Sequence, residues 1–374
     1  MKILITSLAY HPFVGGAEVA VKEITDRLPD ITFDMVTVNL DGKQPKIQRQ
    51  GNVNVYRVNN GKIGKYFFPW TGYYQAQKLY RENKYDVVWA IMANQSGLIA
   101  LKLKKNFPEV KYLLTLQEGD SLKRIWSRTW FMRRQYKNIY KKADKIQAIS
   151  NFLAGRAKKY GYKKDLAIVP NGVDLKKFTR EFPAEELTAL KDKLGISATE
   201  KVIITTSRLV HKNGIDTLIT AVKNLPVKVL ILGSGLQESK LKALTQELEI
   251  KDKILFLGHI NHDEMIKYLK ISDIFIRPSR SEGLGVSFLE AMATGLPIIA
   301  PNVGGIPDFL KDQQTGLFCE VDNPADLVQK IKILLEDENK RQVIAVKGQE
   351  LVLNHYSWDK IAVSMKEVFY NLKS

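Results

Sequence analysis

Cysteine is almost missing from this chain of 374 residues. The single Cys319 has no mate for an internal disulfide. That excludes a disulfide-stapled scaffold and agrees with a reducing cytoplasm, the compartment expected here. Long apolar runs are missing too. None approaches the roughly 18–20 residues needed to span a bilayer. The opening M-K-I-L-I-T-S-L-A carries no small-residue cleavage site and runs straight into a Gly-Gly loop, so a first buried strand is a better reading than a leader. Histidines are few and scattered: of His11, His211, His259, His262 and His355 only the pair His259 and His262 is close. With no other ligand types beside it, that pair reads as a solvated helix start, and no metal site is expected.

Acidic residues are scarce in one half only. Up to Phe178 there are 14 Asp and Glu against 32 Lys and Arg, whereas beyond it 26 face 25. The net charge of +17 therefore belongs to the first half. Such asymmetry points to an anionic partner for that half: acidic lipid, a phosphorylated acceptor or nucleic acid.

The length suits two domains of about 150–200 residues each. Strand patterns at Lys2 to Leu8, Phe33 to Asn39, Val53 to Val58, Asp86 to Ile91, Tyr112 to Leu116 and Lys145 to Ile149 alternate with helical patterns. A second set follows at Lys201 to Ser207, Val227 to Leu232, Ile254 to Leu257, Asp273 to Ile276 and Pro297 to Ala300, after a polar helix from Glu181 to Leu194. Alternation of this kind predicts α/β domains with parallel sheets covered on both faces.

Two basic, aromatic stretches interrupt the first set. K-I-G-K-Y-F-F-P-W, from Lys62 to Trp70, is short. The longer one, Leu122 to Lys142, puts Leu122, Ile125, Met132, Tyr136, Ile139 and Ala143 on one helical stripe. Arg124, Arg128, Arg134, Lys141 and Lys142 stand on the other side, with Trp126 and Trp130 a turn apart. A helix lying on an anionic membrane and an ordinary sheet-covering helix with a solvated basic face both fit. No nucleic-acid-binding motif accompanies the charge, so nucleic acid is not expected as a partner.

The chemistry concentrates between Arg277 and Pro301, R-P-S-R-S-E-G-L-G-V-S-F-L-E-A-M-A-T-G-L-P-I-I-A-P. Glu282 lies in a loop with Gly283 and Gly285. Glu290, eight positions on, falls in an apolar run whose Phe288, Leu289, Met292 and Ala293 recur at helical spacing. Glycines before a helix let backbone N–H groups approach a ligand, and the helix start adds partial positive charge, so a diphosphate would be favoured there. Arg208 ends another predicted strand in S-R-L-V-H-K-N-G, with Lys212 four positions later. Open α/β sheets bind ligands at such carboxyl ends, and an arginine with a lysine can hold two phosphates. Gly15 and Gly16, between the first strand and its helix, repeat the arrangement.

The 277–301 stretch resembles the Glu-x7-Glu motif of the retaining, nucleotide-sugar-dependent glycosyltransferases of family four, which have the GT-B fold. Leu284 and Val286 replace the usual Phe and Leu. Pro12, Gly15, Gly16 and Glu18 match a P-x-x-G-G-x-E stretch, and Pro170 to Asp174 matches the P-N-G-V-D connector of the same family. The resemblance implies two Rossmann-like parallel-sheet domains facing each other across a cleft. An acceptor-binding domain would span 1–170, a nucleotide-sugar-binding domain 171–356, and a terminal helix 357–374 would return to the first. It also implies catalytic Arg208, Lys212 and Glu282. Nucleotide would be bound at Gly15, Gly16, Gly233, His259, Ile260, Gly283, Leu284, Gly285, Val286 and Glu290, with Glu290 on the ribose hydroxyls.

The implied activity is retaining, metal-independent hexosyl transfer, without cofactor, from a UDP- or GDP-linked sugar. The acceptor would be a lipid-linked or polysaccharide hydroxyl at the cytoplasmic membrane face. Another GT-B enzyme such as a nucleotide-sugar epimerase, or a non-catalytic basic binding protein, stays open as the alternative. Two departures stand out. Asn213 replaces the lysine that usually precedes Gly214, and Gln117 stands where many relatives have a histidine. Gln117 cannot titrate, so it is expected only to line the sugar pocket, with Glu118 and Asp120 as the nearby carboxylates.

Overall fold

Runs of aliphatic residues without polar alternation become strands buried on both faces, as in β1 (Lys2–Thr6), where Ile3, Leu4 and Ile5 are fully buried. The computed structural model describes residues 1–13, 15–119 and 133–373. They divide into two units, Met1–Gly172 with Trp358–Ser374, and Val173–Ser357.

In the first unit β1 pairs with β2 (Thr32–Asn39) and β5 (Val87–Ile91). The whole sheet runs β3-β4-β2-β1-β5-β6-β7-β8, with β3 at Ile47–Gln50, β4 at Val53–Asn60, β6 at Lys111–Leu116, β7 at Lys145–Ala148 and β8 at Leu166–Ile168. All pairs are parallel except β3 with β4. The sequence does not announce β3, because I-Q-R-Q is a polar, half-exposed edge strand with only one neighbour to satisfy.

Helix α1 (Gly16–Asp26), α2 (Gly61–Asn83) and α3 (Gln95–Asn106) follow β1, β4 and β5. Of the basic Leu122 to Lys142 stretch, the helix Arg133–Lys141 is described, with Tyr136, Ile139 and Tyr140 buried as a sheet-covering face requires. Asp120, Leu122, Arg124, Ile125, Trp126, Arg128, Trp130 and Met132 lie outside the described residues. Ser150 caps the helix Asn151–Lys159 by accepting the Leu153 N–H. The C-terminal helix Trp358–Lys373 packs on α1, and buries Trp358, Ile361, Met365 and Phe369 in the same core as Ile3, Phe33 and Trp89.

The second unit is a six-stranded parallel sheet in the order β11-β10-β9-β12-β13-β14. Its strands are β9 (Lys201–Thr206), β10 (Val227–Leu232), β11 (Ile254–Gly258), β12 (Ile274–Ile276), β13 (Ile298–Pro301) and β14 (Leu317–Cys319). Chain order reverses between β9 and β12, so a crevice must open at their carboxyl ends.

Candidate functional site

A cavity of about 270 Å³ occupies that switch point. Thr206, Ser207 and Arg208 line it from the end of β9, and Leu232, Gly233 and Ser234 from β10. His259 and Ile260 come from the loop after β11, and Arg277 from the end of β12. His262 and Met265 of the helix His262–Lys270, and Ser287 and Glu290 of the helix Val286–Ala293, close it. Two helix starts and four strand ends thus converge on one hollow, the geometry that favours an anion. Arg208 and Ser287 share it.

The walls are shaped by glycine where nothing else fits. Gly233 sits at φ +133° with its Cα against β9, so a Cβ there would come 1.9 Å from the Ser207 carbonyl oxygen. Gly285, at φ +97°, is the N-cap of the Val286–Ala293 helix, where its left-handed backbone turns the loop into the helix. The Val286 and Ser287 N–H groups, at the first two positions of that helix, have no acceptor within its turns, whereas the Phe288 N–H donates to the Gly285 carbonyl at 3.0 Å. The preceding Leu284 side chain is buried, and the Gly283 N–H donates to Glu282 Oε1 at 3.1 Å.

Arg277 is the residue that sequence reasoning passed over. It is buried, and its guanidinium donates to Glu282 Oε2 at 2.8 Å, Ser287 Oγ at 2.5 Å, the Thr206 carbonyl at 3.3 Å and Ser279 Oγ at 3.2 Å. It lies 4.4 Å over the Phe288 ring. One cation therefore ties the Glu282 loop, the Val286–Ala293 helix and the end of β9 together. A signal was present: an arginine directly after the apolar β12 is buried by topology and must find partners there.

Glu290 is buried, and its nearest ionisable partner is His262, whose Nε2 is 4.0 Å from Oε1. Burial pushes its carboxyl above the usual range, opposed by the neighbouring His262, Arg277 and Lys177. Arg208, by contrast, is exposed, so its guanidinium can move to a ligand. Lys212 belongs to a single turn, His211–Asn213. It is half-buried, its carbonyl accepts the Arg280 N–H at 2.7 Å, and it is not among the residues lining the cavity. Asn213 is buried and donates to the Arg208 carbonyl at 2.7 Å, so the position that usually holds a lysine is used here to fix the backbone of Arg208.

Gly15, Gly16 and Gln117 belong to the first unit. Gln117, at the carboxyl end of β6, accepts from Asn171 Nδ2 at 3.2 Å, and a Cβ on Gly16 would lie 4.0 Å from that same nitrogen. The connector asparagine thus brings Gln117 and the Gly-Gly loop together. Glu118 is unsuited to titrate at a surface: its carboxylate accepts the Ala93 N–H, and burial raises its pKa.

Comparison with known proteins agrees with this architecture. The family model described as Glycosyltransferase Family 4 matches residues 14–177, and the one described as Glycosyl transferases group 1 matches residues 188–351. A GDP-mannose-dependent monoacylated α-(1-6)-phosphatidylinositol monomannoside mannosyltransferase of Corynebacterium glutamicum is 32% identical over 304 residues, 78% of this chain and 77% of that protein. Sucrose-phosphate synthase from Thermosynechococcus elongatus superposes with a TM-score of 0.86 at 21% identity, covering 99% of this chain and 98% of that one. Anabaena Alr3699/HepE, solved with UDP and glucose, gives 0.84 at 20% identity over 99% and 100% of the two chains.

Proposed function

This chain belongs to glycosyltransferase family 4, with the GT-B fold and a nucleotide-sugar donor, and from that premise we propose how its second unit holds and cleaves the donor. The cavity at the β9/β12 switch point carries the reading. A volume of about 270 Å³ lies just below the about 300–1,000 Å³ of drug-sized ligand sites, a fit for a nucleoside. The base lies against the backbone around Gly233, His259 and Ile260, and Glu290 accepts from the ribose hydroxyls. The diphosphate meets Arg208, Lys212 and the N–H groups at Gly285 and Val286. Glu282, fixed by Arg277, faces the donor sugar.

Transfer breaks the bond between the anomeric carbon and the phosphate oxygen, whose electron pair goes to the leaving diphosphate. Developing negative charge is then met by preorganised donors, and removal of one such donor costs about 10²–10³ in rate. The acceptor hydroxyl attacks from the face the phosphate leaves, and that phosphate oxygen takes its proton, so configuration is retained. The charge is met by Arg208, Lys212 and the helix start, which is the support for a metal-independent reaction. The donor is UDP- or GDP-linked: the Corynebacterium relative is GDP-mannose-dependent and the Anabaena structure holds UDP. The acceptor is lipid-linked or polysaccharide, bound by the basic first unit at the cytoplasmic membrane face. The phosphatidylinositol mannoside named for that relative and the one-sided charge support this.

The test is a thermal-shift series with UDP, GDP and ADP. A nucleotide at 100 times its Kd should add about 2.7 kcal/mol to folded stability. Arg208→Ala should then lose transfer, followed by product mass, while keeping the fold. Failure of every nucleoside diphosphate to shift melting, or normal turnover in both Arg208→Ala and Glu290→Ala, would overturn the site.

A further inference from the structure

Helix α2 carries an exposed apolar face that the donor site does not use. Ile63, Tyr66, Phe67, Trp70 and Tyr74 are between 57% and 71% exposed. Counted from Ile63 they stand three, four, seven and eleven positions on, which places all five on one side of a helix over a length of about 16 Å. The opposite side, with Phe68, Gly72, Ala76 and Leu79, is buried, and α2 packs against β2, β4 and α3. The outward stripe is therefore additional to the core rather than part of it. Scattered exposed hydrophobics need no explanation, but five contiguous large ones mark an interaction surface.

The charge beside the stripe identifies what covers it. Within Gly61–Asn83 four cations, Lys62, Lys65, Lys78 and Arg81, face one carboxylate, Glu82. Lys78 and Arg81 are exposed and continue the same side toward the helix end. The surrounding half of the chain holds 32 Lys and Arg against 14 Asp and Glu. A second copy of this chain would bring the same cations against themselves, whereas an anionic bilayer neutralises them. Tryptophan and tyrosine, with an apolar body and a polar tip, suit the boundary between headgroup and acyl chain. We infer that α2 lies in the plane of an anionic phospholipid surface, with the Ile63 to Tyr74 stripe inserted at the headgroup boundary and Lys78 and Arg81 among the phosphates. This deepens the acceptor part of the proposed function and rests on it for its purpose, since a lipid-linked hydroxyl must be reached at such a surface.

Vesicle sedimentation tests it with neither donor nor acceptor, so its failure leaves the nucleotide site standing. Vesicles of phosphatidylcholine with phosphatidylglycerol should retain the full chain at low salt, and phosphatidylcholine alone should not. Phe67→Ser with Trp70→Ser should weaken retention by about tenfold or more, with the nucleotide-induced melting shift unchanged. Trp70→Phe should keep retention yet remove part of the fluorescence quenching by brominated lipid, which a folding defect could not mimic. Equal retention of wild type and the double Ser variant would overturn the inference. So would retention independent of phosphatidylglycerol, or dimerisation in analytical ultracentrifugation that the Ser variant abolishes.

Discussion

Arg277 Nη2 lies 2.8 Å from Glu282 Oε2, and the two side chains retain only 8% and 14% of their exposure. A buried pair of this kind is a poor source of net stability but expensive to halve. Arg277→Met leaves the Glu282 carboxylate, whose side chain is only 14% exposed, without its cation. It should cost about 3–5 kcal/mol by urea denaturation. The double change Arg277→Met with Glu282→Leu should recover much of that loss while transfer activity stays absent. If the single variant is as stable as wild type, the pair does not hold the loop.

Glu290 supplies a pH dependence with a definite sign. Its carboxyl normally titrates near 4.5 and burial raises it in the folded chain. The folded state therefore keeps a proton at pH values where the unfolded chain has lost it, and stability falls as pH rises from that ordinary value through the raised one. Above the interval the ionised group is a standing cost. Glu290→Gln should accordingly raise the melting temperature of the nucleotide-free protein at about pH 8, with the gap closing on acidification. The same variant should show a smaller nucleotide-induced shift. A gap that widens toward acid would contradict the burial argument.

Legibility in the sequence followed the strength of local signals. β1, β9 and β10 are aliphatic runs with a helix after each, and the glycine-rich start of the Val286–Ala293 helix marks its own loop; these elements could be read directly. β3, β8 and β14 could not, because three or four residues at a sheet edge show no period. Arg208 was visible as a charge ending a strand. Arg277 ends one as well, but inside the sheet, where its worth lies in partners at Thr206, Glu282 and Ser287 that only the fold assembles. Asn213 looked like a lost lysine and is instead the donor that fixes the Arg208 carbonyl. The sequence places His262 at a solvated helix start; it does begin the helix His262–Lys270, and it also faces Glu290 from the cavity wall. The exposed side of α2 was hidden because Lys62 to Trp70 is too short to show which face turns outward.

Gly233→Ala tests the close approach that forms the cavity floor. The added Cβ would meet the Ser207 carbonyl oxygen at 1.9 Å, and φ +133° is itself unfavourable for alanine. Neither β9 nor β10 can yield, since they pair residue by residue from Val227 to Leu232. The variant should lose well over 1 kcal/mol, about the scale of an incompatible glycine replacement, and nucleotide binding should weaken with it. Wild-type stability in chemical denaturation would show that the two strands separate more easily than their register implies.

Two kinds of contact hold the C-terminal helix to the first unit, and their magnitudes differ. Arg27 Nε meets Asp359 Oδ1 at 2.7 Å, but Asp359 is 82% exposed, and such pairs are worth about 0–1 kcal/mol. Phe369 is fully buried, with its ring centroid 5.0 Å from that of Trp89 and 6.2 Å from that of Phe33. Truncating a buried phenylalanine costs about 3–5 kcal/mol, the cavity included. Phe369→Ala should therefore lower stability several times more than Asp359→Asn. The loss should appear in the first unit, as amide exchange speeding in β1, β2 and β5 before β9 and β10. Equal effects of the two variants, or exchange speeding first in the second unit, would show that this helix is held by its surface charges rather than by the aromatic core it shares with Phe33 and Trp89.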